Sequence, residues 1–547
     1  MLKSSDVRRG DRSVKENEIL KTAADDGLVA EMLKTGHPGL ILILAQMFTD
    51  ILSGVVAPET WKAASLKVIF KKGDVKLPKN YRPISTVPVM AKLFSTVLYL
   101  RLQELVENKL AEEQFGFRRG RGCTDAVHIL RMVVEKSEEW GEPLFLAALD
   151  VEKAFDRVHH ADLFEALLRC GAGISIVMTL KVFYADLRAK VHLWEGAESR
   201  HFAVQRGVRQ GDPLSTLLFN LVLNEVRQEV RVAWDRRGYG TEVGSLPGRP
   251  RLTHVAFADD CTLVARSWLS LKRMMTELRA GLQTRGLSLH PTKCQVQTNV
   301  EGWERRGEIQ LEDGFPITFL AEEDHLTVLG TKLALHDVSQ HELRNRIAAA
   351  WRLFWSLKAL LTNRSSSVKQ RFKLFDSTVG SCVLWRAQSW TLRVEEQRLL
   401  KTTRRAMLRR IAGFPRKPQE DYLEWLPRVT HKAEELAASI RVRDWVVAYS
   451  LLKWSWAGHV SRRPADSWVS CVTSWRDAEW QAVANEMSSR PMRPSRRRWM
   501  KWEDSLRRFC KREENAGWQE LAADRSRWTE LAADYSKWYC CSATVLN

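Results

Sequence analysis

The chain has no cysteine pair at metal-ligand spacing and no long apolar run. Its nine cysteines are scattered through 547 residues without one CxxC, and only Cys540 and Cys541 are neighbours. Scatter of this kind argues against a disulfide framework and a zinc module, and predicts a reducing compartment, nucleus or cytoplasm. The most apolar early run, Leu40 to Phe48, is too short to cross a bilayer and is followed by Asp50. Met1-Leu2-Lys3-Ser4-Ser5-Asp6 lacks the apolar core of a signal peptide. The expectation is an intracellular protein with no membrane association. Acidic residues are in deficit, 66 against 85 lysines and arginines, for a formal charge of +19 and a pI near 9.6. An imbalance this large predicts a polyanionic partner.

Hydrophobic content of 45% and charged content of 28% are those of a globular protein able to bury large cores. The length prior is roughly three subdomains. Residues 1–28 are polar and without clear period. Over residues 29–335 strand-like and helix-like segments alternate, with glycine and proline punctuation. Residues 336–415 turn helical, His341 to Leu361 and Val368 to Trp385 carrying apolar residues at three- and four-residue spacing. Pro415 and Pro418 mark a boundary, and residues 420–547 hold twelve of the 22 tryptophans with dense arginine. Within them Trp518-Gln-Glu-Leu-Ala-Ala-Asp is repeated as Trp528-Thr-Glu-Leu-Ala-Ala-Asp, followed by Trp538. Two copies at a ten-residue period are too short for a solenoid.

The chemistry concentrates at Asp259-Asp260, between apolar runs Leu252 to Phe257 and Cys261 to Ala265. Each run is long enough for one strand, so the pair reads as the tip of a β-hairpin. A hairpin tip can aim two carboxylates at one divalent cation, although Asp-Asp between strands is also ordinary turn chemistry. Upstream, Asp150 ends the apolar run Leu146 to Leu149, either as a ligand or as the N-cap of a helix over Glu152 to Val158. Phe155 adds an aromatic wall. Gln210 and Gly211 lie in a glycine-rich turn before an apolar helix, a place where backbone N–H groups can meet a nucleotide. Lys71, Lys72 and Arg82 put cations on loops that could grip a triphosphate. Lys293 follows a loop at Leu289-His290-Pro291-Thr292.

The order of these segments decides between the readings. From about Leu28 onward the chain resembles reverse transcriptases of non-LTR (LINE-type) retrotransposons. Further blocks carry the resemblance: Pro58 to Lys62, Asn80 to Leu102, Glu113-Gln114-Phe115-Gly116-Phe117-Arg118, Thr124-Asp125-Ala126, Val328-Leu329-Gly330 and Trp456 to Val460. The resemblance implies an α+β, right-handed polymerase with fingers, an antiparallel-sheet palm and a helical thumb, followed by a mostly helical C-terminal region. It implies an RNA-directed DNA polymerase that extends a DNA primer with dNTPs on an RNA template, using two Mg²⁺ ions. Asp150 and Asp259 would be the principal metal ligands, with Asp260 beside them. Phe155 would exclude a 2′-hydroxyl, Arg82 with Lys71 or Lys72 would bind phosphates, and Gln210 and Gly211 would shape the nucleotide floor. Lys293 would protonate the leaving pyrophosphate.

In the tail, Arg496, Arg497, Arg498, Lys501, Arg507 and Arg508 interleave with Trp499 and Trp502, a composition suited to nucleic-acid binding. Trp445, Trp454 and Trp456 read instead as core. Three positions depart from the family pattern. Thr216 replaces a proline, Gly122-Cys123 replaces a Ser-Thr pair, and Leu384-Trp385-Arg386 replaces Leu-Tyr-Gly. No apurinic-type endonuclease or cysteine-histidine knuckle is present, which points to a nicking partner encoded elsewhere or to a truncated element. The rival readings are a decayed remnant that only binds nucleic acid and an intron-encoded maturase.

Overall fold

The computed structural model describes residues 27–542 apart from 35–36, 38, 72, 194–196, 244–250, 305, 336–337 and 476–500. Its centre is strand β3, which the sequence marks by an unbroken apolar run. Phe145, Ala147 and Leu149 point to one hydrophobic core and Leu146 and Ala148 to the other. A strand covered on both faces has no need of a polar side, which is why this run does not alternate.

The strands are β1 (Ala63–Phe70), β2 (Tyr81–Thr86), β3 (Phe145–Leu149), β4 (Arg188–His192), β5 (Phe202–Ala203), β6 (His254–Phe257), β7 (Asp260–Ala265), β8 (Gln295–Thr298), β9 (Gly307–Gln310), β10 (Pro316–Phe319), β11 (Leu326–Val328) and β12 (Thr331–Leu333). They form a four-stranded sheet in order β2-β1-β4-β5, a six-stranded sheet in order β6-β7-β3-β8-β10-β9, and the hairpin β11–β12. The larger sheet, expected to be antiparallel, is so except for the parallel pair β8–β10. Helices α1 (Val89–Glu107), α2 (Cys123–Trp140), α3 (Pro213–Arg236) and α4 (Trp268–Thr284) cover it. Buried residues of α1, α3 and α4 belong to one core and those of α2 to the other. The protein is α+β, with helices taking over from Val338.

That helical half contains α5 (Val338–Ser356), α6 (Val394–Ala412), α7 (Trp445–Ser461), α8 (Asp504–Glu514) and α9 (Ala532–Ser542). The periodic segment Val368 to Trp385 is helical from Val368–Phe375, widens into a π-helical turn at Asp376–Gly380, and ends by Val383. The described C-terminal helices share their core with α2, so they are built onto the sheet's second face.

The tryptophan repeat acts here. Trp528 stacks on Trp454 of α7 with ring centroids 3.6 Å apart and planes 4° apart. Each indole N–H donates to the other residue's carbonyl, at 2.8 and 2.9 Å. Both polar handles are thereby satisfied inside the core, the condition for burying tryptophan fully. Gly458 makes the approach possible, since a Cβ there would lie 2.5 Å from the Trp528 indole nitrogen. Trp518, the earlier repeat position, is equally buried.

Trp528→Ala should therefore cost about 3–5 kcal/mol in equilibrium unfolding, the range for deleting a large buried aromatic. A loss under about 1 kcal/mol, within the scatter of surface substitutions, would remove the repeat's structural role.

Candidate active site

Three chain segments meet at the open end of β3 and β7. Leu149 pairs with Cys261 in the antiparallel ladder, so the next residues outward, Asp150 and Asp260, come opposite one another. Asp150 caps no helix. The following helix is a single turn, Ala154–Arg157, entered through Lys153 at φ +46°. The Asp150 backbone is fixed instead by the loop before Lys293: Asp150 O accepts from His290 N at 2.8 Å, and Glu152 N donates to Ser288 O at 2.8 Å. The same loop brings the Lys293 ammonium into an ion pair with the Asp150 carboxylate.

Phe257 pairs with Asp260, leaving Ala258-Asp259 as a two-residue hairpin turn. Ala258 takes φ +56°, a conformation costly for a residue with a Cβ. Its surroundings hold it there. Ala258 N donates to Gln114 Oε1 at 2.9 Å, and Ala258 O accepts from Arg227 Nη2 of α3 at 2.7 Å. Gly116 packs so closely that a Cβ would lie 2.4 Å from Ala258 N. The segment is itself braced by Phe115 N donating to Ala256 O and Ala256 N to Glu113 O, both at 2.8 Å. Buried Glu113 pairs with Arg231 at 3.0 Å. Gln114, Gly116 and Arg227 are functional in this sense, yet sequence reasoning assigned them no role. The available signal was the glycine two residues after a glutamine in the block Glu113 to Arg118.

Beside the carboxylates lies an aromatic floor. Phe155 stacks on Phe219 of α3, with centroids 4.2 Å apart, and meets Phe117 edge-on at 6.2 Å. The glycine-rich loop is stitched to it. Val208 N donates to Phe155 O at 2.7 Å, Ser85 N of β2 to Gln210 O at 2.8 Å, and Gln210 Nε2 to Asp156 Oδ1 at 3.4 Å. Gly211 takes φ +115°, where a Cβ would stand 2.9 Å from Ser85 O. The loop ends at Asp212, whose carboxylate caps α3 by accepting from Leu214 N at 3.1 Å. Arg82 and Lys71 are exposed nearby, and Lys72 lies outside the described residues.

A cavity of about 380 Å³ opens here, walled by Asp150, Asp260 and Lys293 on one side and by Thr327 to Gly330 of the β11–β12 hairpin on the other. Burial raises the Asp259 carboxyl above its ordinary value, with the Asp150 carboxylate adding to the rise and Arg227 and Arg82 opposing it. Asp260 is pushed up to about 6 by burial and by its neighbours Asp259 and Asp150, against the pull of Lys293 and Lys71. Among the described residues no three histidine, cysteine or carboxylate side chains converge as a closed metal cage. An open set of aspartates suits a hard cation that takes one or two carboxylates and fills its sphere with water and phosphate oxygen.

The tail residues fare differently. Arg496, Arg497, Arg498 and Trp499 lie outside the described residues. Trp502 is corrected: its ring is fully buried, 4.8 Å edge-on from His128 of α2, with Nε1 donating to Gln388 O at 2.9 Å. It is a wedge between α2 and the helical half and offers no face for stacking a base. Lys501 is ion-paired with Glu139, and Arg507 with Glu503 at 2.8 Å. Arg507 and Arg508 are exposed.

Residues 69–333, which contain all three aspartates, match the family model described as reverse transcriptase (RNA-dependent DNA polymerase). Over that span, just under half of its length, the chain is similar to reverse transcriptases. The chain is 30% identical over 236 residues, 43% of its length and 32% of the other's, to the Retrovirus-related Pol polyprotein from type-1 retrotransposable element R2 of Popillia japonica. It is 29% identical over 269 residues, 49% and 24% of the two lengths, to that from type-2 retrotransposable element R2DM of Drosophila melanogaster. The resemblance to non-LTR retrotransposon reverse transcriptases holds over this span, and the chain matches a third or less of each relative's length. An apo telomerase from Candida tropicalis aligns over 80% of this chain and 74% of its own, at 12% identity and a TM-score of 0.39.

The aspartate cluster makes a pH-dependent prediction. A carboxyl raised on folding contributes stability that is full below the unfolded value and lost as pH rises through the folded one, here about 6. Asp260→Asn should stabilise the cation-free protein at pH 7.5 by about 1–2 kcal/mol after solvent screening, and by less at pH 5. Urea melts at the two pH values measure this, and an equal gain at both would remove like-charge burial as the cause.

Proposed function

We propose that the protein is an RNA-directed DNA polymerase that extends a DNA primer with dNTPs on an RNA template. The observation that carries this reading is the convergence of Asp150 with the Asp259-Asp260 turn at one end of the sheet, beside Lys293 and above the Phe155–Phe219 stack. Two Mg²⁺ ions, held by Asp150 and Asp259 with Asp260 adjacent, would supply Lewis-acid activation of the primer hydroxyl and neutralise the triphosphate. The protein's own share is positioning and charge. The hairpin and β3 fix the carboxylates, while Arg82 and Lys71 face the site with positive charge where a triphosphate would enter. Lys293, ion-paired with Asp150, would donate its proton to the leaving pyrophosphate.

Phe155 governs sugar choice in this reading. Its ring stacks on Phe219, and a 2′-hydroxyl placed against its open face would overlap carbon. Gln210 and Gly211, tied to β2, form the adjoining floor. The described tail contributes Arg507 and Arg508 as exposed cations, with sequence-independent affinity for phosphate.

Primer extension on an RNA template tests the reading. Wild type should incorporate dNTPs with Mg²⁺ and stop when the cation is chelated, whereas Asp150→Asn and Asp259→Asn should each lose at least about 10²-fold, the scale of removing one electrostatic stabiliser. Equal incorporation by all three proteins, or none by wild type, would refute the catalytic claim.

Phe155→Ala should admit ribonucleotides, raising their incorporation relative to dNTPs by about 10-fold or more, as expected when a steric exclusion of a few kcal/mol is removed. Unchanged sugar selectivity would reassign the ring to packing alone.

A further inference from the structure

Two departures from the family pattern, Cys123 and Arg386, meet in space. Cys123 begins α2 and lies close enough to the Arg386 guanidinium to interact with it electrostatically. Arg386 sits at φ +56°, the left-handed region that favours glycine, so its backbone is held there against a steric cost. The surrounding loop is docked on α2: Gln388 Nε2 donates to Thr124 Oγ1 at 3.2 Å, and buried Arg131 donates from Nη1 to Ser389 O at 3.2 Å. From this anchored position the Arg386 Nη1 reaches across to the β11–β12 hairpin. There it donates to Leu329 O and, at 3.3 Å, to Thr331 Oγ1.

The hairpin needs such support. Its strands are three residues each, and an isolated two-stranded hairpin is marginal in water. Leu329 and Gly330 form its turn, both at positive φ, and with Thr327 and Val328 they wall the cavity that contains Asp150 and Asp260. A second guanidinium, Arg346 of α5, donates to Gly330 O, and Glu342 one turn earlier accepts from Lys332 N at 2.6 Å while pairing with Arg346. The turn facing the aspartates is thus held by side chains from α5 and from the loop docked on α2, and by no longer sheet.

We propose that Arg386 is a positioning residue: its guanidinium pins the Leu329–Thr331 turn against the catalytic cavity and sets where a nucleic-acid 3′ end lies over Asp150 and Asp260. This rests on the polymerase reading for what the turn positions, but not for the clamp itself. Arg386 touches no reacting atom. It acts through the turn, and Cys123 and the α2 terminus act through Arg386.

Arg386→Gly separates clamp from backbone, because glycine adopts the left-handed conformation readily while the whole side chain, guanidinium included, is removed. Hydrogen exchange by mass spectrometry should show residues 326–333 exchanging about 10-fold faster or more, the scale of losing hydrogen bonds to a charged donor. Gln295–Thr298 and Pro316–Phe319 should be unchanged. In primer extension the KM for primer–template should rise by about 10-fold while the KM for dNTP stays within about twofold, with Arg386→Lys intermediate. Unchanged exchange at 326–333 in both variants overturns the clamp whatever the activity. Faster exchange with both KM values unaltered overturns the positioning role. A wild-type protein that extends no primer defeats the polymerase reading, and the exchange experiment still decides the clamp.

Discussion

Everything at the site depends on holding three like charges at the end of one sheet. Asp150, Asp259 and Asp260 repel one another, and their partial burial adds desolvation to that repulsion. Left to itself the hairpin would relax by splaying its turn. It is prevented from doing so by Gln114 and Arg227, which bind the two backbone groups of Ala258, and by the Gly116 backbone packed directly against the Ala258 amide. Strain and charge are thus concentrated on four residues and opposed by neighbours drawn from remote parts of the chain.

The same logic of local stress held by distant braces recurs at the cavity's other wall. The β11–β12 hairpin is too short to stand alone, and its turn is gripped by Arg346 and Arg386. Both braces belong to the helical half, which is joined to α2 through His128, Trp502 and Trp456 and is sealed by the reciprocal Trp454–Trp528 pair. The C-terminal helices therefore contribute to the geometry around the aspartates through a continuous core, and not through contact with them.

The elements that carry the aspartates could be read in the sequence because strands and tight turns leave local patterns of apolar runs and glycines. The hairpin around Asp259-Asp260 followed from two apolar runs of strand length, and the turn before Pro213 followed from its glycines and the helix behind it. Arg227 was illegible: one arginine among many on an amphipathic helix, its partner a backbone carbonyl that no side-chain pattern announces. Trp502 was misread for the opposite reason. A tryptophan among arginines has the composition of a nucleic-acid surface, and composition does not say which face of a turn is covered. The β8–β10 pairing was equally hidden, since strand direction is set by the connection between strands and not by the strands' own residues.

The sequence by itself determined the strands that carry the carboxylates and the basic character of the whole, because these depend on local period and on residue type. Tertiary structure alone decided which residues bear the strain of the Ala258 turn, that Trp502 is core, and that the loop carrying Arg386 docks on the start of α2. Those outcomes depend on contacts between segments a hundred or more residues apart, whose energies appear only when the chain closes on itself.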